Sequence, residues 1–268
     1  MEKMISRLGN SDLEINCILQ ARMGSKRLPG KVLLEIDDSQ KIIDFIIKQL
    51  ENTKINELVI AIPDNQEDDI LYNHLENLKI NCFRGKTFDV LDRYYQCARE
   101  FKIETIVRIS ADCPLIEPNI IDVVIRKFLD GKYDYVTNSL TRSFPYGMDV
   151  EIFSFKTLEN AWKNAKLPSE REHVTPYIYN HLKEFKKFNV TNSENFSNLR
   201  IVVDRENDFQ LIKNILSKIE KQPILLNDIL ELFKKEPDIF LINKDYQTDE
   251  GYLKSLKEDK DYLKQKSL

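Results

Sequence analysis

Glycine is scarce in this chain, with seven residues among 268. No G-x-G-x-x-G occurs, so the loop that grips a dinucleotide pyrophosphate is absent. Histidine is scarcer, at three residues, and no H-E-x-x-H is present, which excludes the common helical zinc-protease site. The four cysteines, Cys17, Cys82, Cys97 and Cys113, are widely spaced without a C-x-x-C, so neither a zinc knuckle nor a redox pair is expected. No run of 18 apolar residues exists, and no membrane span is expected. Met1 to Glu14 has no apolar core of the kind a secretory signal needs, and with the free thiols this gives a cytoplasmic expectation. Excess positive charge is missing too. The net charge is −4, and the eleven tyrosines are not interleaved with a basic stripe, which argues against a nucleic-acid or anionic-membrane binder. There is no internal repeat and no low-complexity tract.

Against this background residues 15–36 stand out. The apolar run Ile15 to Leu19 reads as a buried strand, and a loop with Arg22, Lys26, Arg27 and Lys31 follows at once. Two of the seven glycines, Gly24 and Gly30, lie in that loop. A small-residue, cationic loop at a strand's end presents backbone N–H groups and positive side chains at one sheet edge, which suits a polyphosphate. It is not a Walker A loop: five residues separate Gly24 from Gly30, and Val32 follows Lys31 where a hydroxyl would hold magnesium. The competing reading is a solvated basic loop with turn glycines.

The rest of the chain supplies a frame. Strands are expected at Glu57–Ile62, Ile80–Phe83 and Thr105–Ile109, alternating with helices at 43–50, Glu67–Leu78, Phe88–Phe101 and Pro118–Leu129. This β-α rhythm predicts an α/β fold in three layers, a mostly parallel sheet with helices on both faces. Ligands of such sheets bind beyond the carboxyl ends of the strands, where the first loop and the segment after Ile109 both lie. Residues 133–190 break the rhythm: strands at Tyr133–Asn138, Met148–Phe153 and Lys186–Thr191, helices near 156–165 and 171–184. Leu199–Val203 reads as a further buried strand ending at Asp204, followed by a helix over 207–219. The chain divides into an extension over 1–14, a main domain over 15–236 and a polar tail over 237–268, expected to be peripheral or partly mobile.

Asp112 follows the strand Thr105–Ile109, and Pro114 stiffens its exit; Asp204 follows Leu199–Val203 in the same way. Two carboxylates, each just past a buried strand, can share a magnesium ion, which takes one or two carboxylates plus phosphates. The alternative is that Asp112 caps a turn and Asp204 caps the next helix. Arg84 and Arg93, in Arg84-Gly85-Lys86-Thr87-Phe88-Asp89-Val90-Leu91-Asp92-Arg93, can reach a nucleotide or serve as solvated or capping charges. His173 is a candidate general base, acceptor contact or structural partner. His74 and Trp162 fall on apolar helix faces and read as core.

The run Gln20-Ala21-Arg22-Met23-Gly24-Ser25-Lys26-Arg27-Leu28-Pro29-Gly30-Lys31 resembles the signature of the cytidylyltransferases that activate sugar acids, the synthetases of CMP-Kdo and CMP-sialic acid. The match is nearest to the spore coat polysaccharide biosynthesis protein F branch, and it spans about residues 15–235. The resemblance implies a Rossmann-like nucleotidyltransferase (GT-A-like) architecture with a small β/α lobe over 138–190 for acceptor binding and dimerisation. It implies transfer of CMP from CTP to an acidic sugar with release of pyrophosphate, in surface polysaccharide synthesis, with Mg²⁺ on Asp112 and Asp204. Gln20, Ala21, Arg22, Gly24, Ser25, Arg27, Lys31, Arg84, Arg93, Ser110 and Ala111 would contact the nucleotide, with Arg22 and Lys31 catalytic beside the two aspartates. Ser110-Ala111 stands where many relatives have Gln-Gly. Asn138, Tyr146, Asp149, Glu151, Glu172 and His173 fall in segments resembling the family's acceptor side, and a homodimer is the implied assembly. Two rivals stay open: a GT-A-type glycosyltransferase, although Asp112-Cys113-Pro114 lacks the second Asp of an Asp-x-Asp, and a non-catalytic nucleotide-binding partner.

Overall fold

A computed structural model describes residues 13–37, 40–181 and 183–266; the expectation for the amino-terminal extension falls almost wholly outside them. The strands are β1 (Ile15–Gln20), β2 (Glu57–Pro63), β3 (Asn81–Gly85), β4 (Thr105–Ser110), β5 (Tyr135–Thr137), β6 (Glu151–Ser154) and β7 (Lys187–Asn189). The helices are α1 (Ile42–Leu50), α2 (Asp69–Asn77), α3 (Val90–Glu100), α4 (Pro118–Leu129), α5 (Phe155–Asn164), α6 (Pro168–His173), α7 (Pro176–Asn180), α8 (Glu206–Leu216), α9 (Leu226–Lys235) and α10 (Glu250–Lys266). The strands form one sheet in the order β3-β2-β1-β4-β6-β5-β7. Only β6 runs antiparallel to its neighbours.

Residues of β1 alternate between two apolar layers. Ile15, Cys17 and Leu19 pack with α1, α4 and α8, while Ile18 packs with α3 and α5. Burial on both faces explains why the strand reads as an apolar run, broken only by Asn16, which is itself buried. Each such Ile or Leu taken from water contributes about 1.5–3 kcal/mol, which pins the register. With β1 and β4 parallel neighbours, Gln20 lies beside Ser110, and the loops that follow leave the same edge of the sheet.

Three expectations change. Leu199–Val203 is buried but is not a strand of the sheet: it meets the loop at Tyr146 in a single bridge to Arg200. An apolar segment needs only cover and hydrogen bonds, and here loop backbone supplies the bonds. The helix expected at 171–184 is broken into α6 and α7, with Val174 in left-handed backbone (φ 73°) and Pro176 opening the second helix. The tail is not peripheral. Its helix α10 packs on α6, where buried Asp259 accepts from Ser169 N and Oγ at 2.9 and 2.6 Å. His74 is a half-buried partner of Asp44 at 2.6 Å, and half-buried Trp162 stacks on Tyr95. No helix among the described residues is long and apolar enough to cross a membrane.

Candidate active site

Lys31 is the centre of the site. Gly30 adopts left-handed backbone (φ 69°) and turns the chain so that Lys31 opens a short 3-10 turn, its side chain buried. The ammonium has three donors, and three acceptors receive them: Asp204 Oδ1 at 2.9 Å, Asp112 Oδ2 at 3.4 Å and Val203 O at 2.7 Å. Burial alone would lower the Lys31 pKa, but Asp112 and Asp204 outweigh it and raise it. Burial likewise pushes Asp112 up, yet Lys31 and hydrogen bonds from Ser110, Lys31 and Cys113 hold its carboxyl below the usual value. Lys31 and Asp112 thus each favour the other's charged form.

Asp112 is delivered by β4. Ala111 N donates to Gln20 O at 2.9 Å, which ties the exit of β4 to that of β1. Asp204 arrives by another route: Val203 N donates to Asp112 O at 2.7 Å, so the backbone on either side of the two carboxylates is joined directly. The helix-cap alternative for Asp204 fails, because Asp208 takes that role and accepts from Arg205 N at 3.0 Å and Asp204 N at 3.1 Å. Asp208 is itself fully buried on Arg200, with Nε and NH2 each 2.8 Å from its oxygens. The Asp204 carboxylate is left facing Lys31 and Arg27, whose NH2 is 2.9 Å away. No bond from the Asp112 carboxylate to a turn amide is found among the described residues; its partners are Lys31, Ser110 and the Cys113 thiol.

A second cationic pair lies to one side. Arg22 NH1 is 3.1 Å from Glu172 Oε1 on α6 rather than among the aspartates. Arg93 is fully buried in the first turn of α3, and its Nε, NH1 and NH2 have no hydrogen-bond partner among the described residues. Burial, with Arg22 nearby, lowers its pKa, though a guanidinium stays charged. Unpaired buried donors cost about 1–3 kcal/mol each, so Arg93 is held at a deficit that an anion or carbonyl would repair. Gly85 makes room for it: a Cβ there would lie 2.9 Å from Arg93 Cγ. Arg84 turns away, to Asp69 at 2.7 Å, Asp64 at 3.2 Å and Asn65 O at 2.8 Å. Gly24 lies against Glu67, and Ser25 N donates within the loop to Met23 O at 2.8 Å.

The residues expected on the acceptor side divide. Asn138 and Glu151 are buried and tied up inside: Asn138 bridges Met148 O and Val150 N, while Glu151 holds Arg108, the Tyr135 hydroxyl and the Thr175 hydroxyl. Both support the sheet instead of facing a cleft, a correction that period-two alternation in short strands could not give. Tyr146 lies under Arg142 and Arg200, whose guanidinium carbons are 4.6 and 5.3 Å from its ring centre, and Asp149 pairs with Arg142. His173 Nε2 meets Ser255 Oγ of α10 at 3.0 Å; burial, then Arg108 and Arg22, push its pKa down to about 4. It is a neutral structural partner of the tail, not a base poised near neutrality.

Sequence reasoning missed Arg142, Arg200, Arg205, Asp249 and Glu250. Arg142 pairs with Asp249 at 3.2 Å, and Arg205 NH2 reaches both oxygens of Glu250 at 3.1 and 2.9 Å. Arg205 carried a weak signal in directly following Asp204, and Arg200 is the one charge within the apolar run Leu199–Val203; the others lie in polar stretches with no pattern to mark them.

The comparisons with known proteins bear on family and fold. A cytidylyltransferase family model matches residues 16–266, nearly the whole chain and all but the end of its tail. An uncharacterized protein of Methanocaldococcus jannaschii is 35% identical over 86% of this chain and 95% of its own length. The spore coat polysaccharide biosynthesis protein SpsF of Bacillus subtilis is 30% identical over 84% and 96%. A cytidylyltransferase structure from Leptospira borgpetersenii superposes with a TM-score of 0.82 at 33% identity, covering 88% of this chain and 98% of that one. The CMP-Kdo synthetase structure, at 15% identity and a TM-score of 0.56, shares the fold. The chain therefore belongs to the cytidylyltransferase family, and is a nucleotidyltransferase rather than a glycosyltransferase.

Proposed function

We propose that this enzyme transfers CMP from CTP to an acidic sugar, of the Kdo or nonulosonic-acid kind, and releases pyrophosphate in the synthesis of a surface polysaccharide. The observation that carries this reading is the junction of Lys31 with Asp112 and Asp204, in which two carboxylates from distant parts of the chain share one cation. Carboxylates arranged to share a cation fit Mg²⁺, which needs only one or two protein oxygens when phosphates supply the others. Asp112 and Asp204 would hold it, and when bound it would polarise the α-phosphate and acidify the attacking hydroxyl.

The chain's own residues do the rest. Lys31 and Arg27, with Arg22 from its place on Glu172 to one side, neutralise charge as it grows on the leaving pyrophosphate. Arg93, buried with unpaired donors, is the side chain that would turn to the nucleotide as it binds, and small Ala21 and Ala111 follow the ends of β1 and β4. Tyr146, Asp149 and Glu172 border the acceptor side. Holding acceptor and phosphate in line contributes much of the acceleration, and no covalent intermediate is needed. We place the dimer contact of this reading in residues 138–190, which light scattering of the purified protein tests.

The test is pyrophosphate release with each nucleoside triphosphate against a panel of acidic sugars. CTP with one acidic sugar should release it, and Asp112→Asn should lower turnover by ~10²–10³-fold with the melting temperature nearly unchanged. Pyrophosphate release by Asp112→Asn at the wild-type rate removes the metal role. Lys31→Ala should weaken CTP binding, and an unchanged affinity removes the loop.

A further inference from the structure

Arg27, Arg205 and Glu250 meet beside the site but are not needed for the junction at Lys31. Arg27 is shared between Asp204 Oδ2 at 2.9 Å and Glu250 Oε2 at 3.9 Å. Arg205 NH2 holds both Glu250 oxygens, at 3.1 and 2.9 Å, while its buried Nε has no acceptor among the described residues. Glu250 is the first residue of α10 and follows Asp249, which is in left-handed backbone at φ 56°. Beyond this joint the helix is fixed, with Ser255 on His173 and Asp259 on Ser169, both buried. The carboxylate therefore stands at the end of an anchored helix, next to a kinked residue.

We propose that Arg27 and Arg205 form a second anion seat beside Asp204, filled by the chain's own Glu250, and that an anionic group of a substrate takes the seat by displacing it. The proposal rests on the nucleotidyl-transfer reading above and deepens it. Three facts favour exchange over a fixed pair. The Arg27, Arg205 and Glu250 side chains are each about a third exposed, at 36%, 37% and 31%, so a solute reaches them. The other carboxylates here, Asp112, Asp204 and Asp208, are held by Lys31 or by a bidentate arginine and are not easily released. A phosphate chain or a sugar carboxylate can satisfy Arg205 Nε, which Glu250 leaves unused.

The experiment measures Mg²⁺–tripolyphosphate and glucuronate binding by calorimetry in wild type, Glu250→Gln, Arg205→Gln and the double variant. Glu250→Gln keeps the shape and removes the competing charge, so one anion should bind about three- to fivefold more tightly, the range an exposed ion pair commands. Arg205→Gln should abolish that gain. Whichever anion responds identifies the occupant: tripolyphosphate marks the seat as part of the nucleotide site, glucuronate as part of the acceptor site. Unchanged or weaker binding of both anions by Glu250→Gln overturns the proposal, as does a gain that survives Arg205→Gln. Lys31→Ala, run alongside, keeps the two readings apart. If it leaves triphosphate binding intact the catalytic assignment fails, whereas a loss at Lys31 without a response at Glu250 sinks only the seat.

Discussion

Asp112 and Asp204 follow the same sequence pattern, an apolar run and then a carboxylate, but the molecule supports them differently. Asp112 stands at the end of β4, a strand paired along both edges, and inherits the stiffness of the sheet. Asp204 ends a segment outside the sheet. Tyr146 N donates to Leu199 O and Ile201 N to Tyr146 O, both at 2.8 Å; Asn243 Nδ2 reaches Arg200 O at 3.1 Å. One carboxylate is held by a ladder and the other by loops, a buried ion pair and the tail. Strand-like burial alone does not tell the two apart.

That contrast can be broken selectively. The largest effect is expected from Asp208→Ala, which leaves buried Arg200 without its bidentate partner and with only the longer contact to Asp204 at 3.6 Å, and should cost about 3–5 kcal/mol in denaturant unfolding. Gly147→Ala comes next. Gly147 has φ 113°, and a Cβ there would lie 2.7 Å from Val202 N, so the segment carrying Asp204 must shift. Strain of this kind costs about 1–3 kcal/mol, and turnover should fall more than stability because Asp204 moves while Asp112 does not. A crystal structure of Gly147→Ala with Asp204 undisplaced would remove the distinction.

The effect that is smallest at neutral pH, and grows only on acidification, sharpens the comparison from outside both regions. His173 is held near pKa 4, below its ordinary 6.5, so the unfolded chain binds the extra proton between those values. Stability should therefore fall as pH drops from about 6.5 toward 4, and His173→Gln should flatten that limb of a melting-temperature profile. An unaltered profile would place the acid sensitivity elsewhere.

Legibility followed locality. The β1 strand, its basic loop, the strand before Asp112 and the span of α4 could be read because the apolar run, the turn glycine and Pro118 are neighbours of what they specify. Lys31, Asp112 and Asp204, which the structure brings into contact, stand out in the sequence for the same reason, each being adjacent to its own marker. Asn138 and Glu151 were misplaced because a polar residue in a short strand looks the same whether it faces a cleft or a buried arginine. Glu172 gave its segment and not its partner. The tail misled more fully. Its weak periodicity is that of a helix whose inward contacts are Ser255 and Asp259, polar groups bonded to polar groups, which leave no apolar stripe.

The sequence by itself determined the layered α/β sheet and the loop that follows its first strand, since burial on two faces and a left-handed turn leave their marks within a few residues. Only the tertiary structure decided which charges meet. Lys31 lies 81 residues from Asp112 and 173 from Asp204, and Arg205 lies 45 from Glu250. A charge carries no record of its partner, because Coulomb attraction depends on distance in space, and that distance is fixed by the packing of the whole sheet.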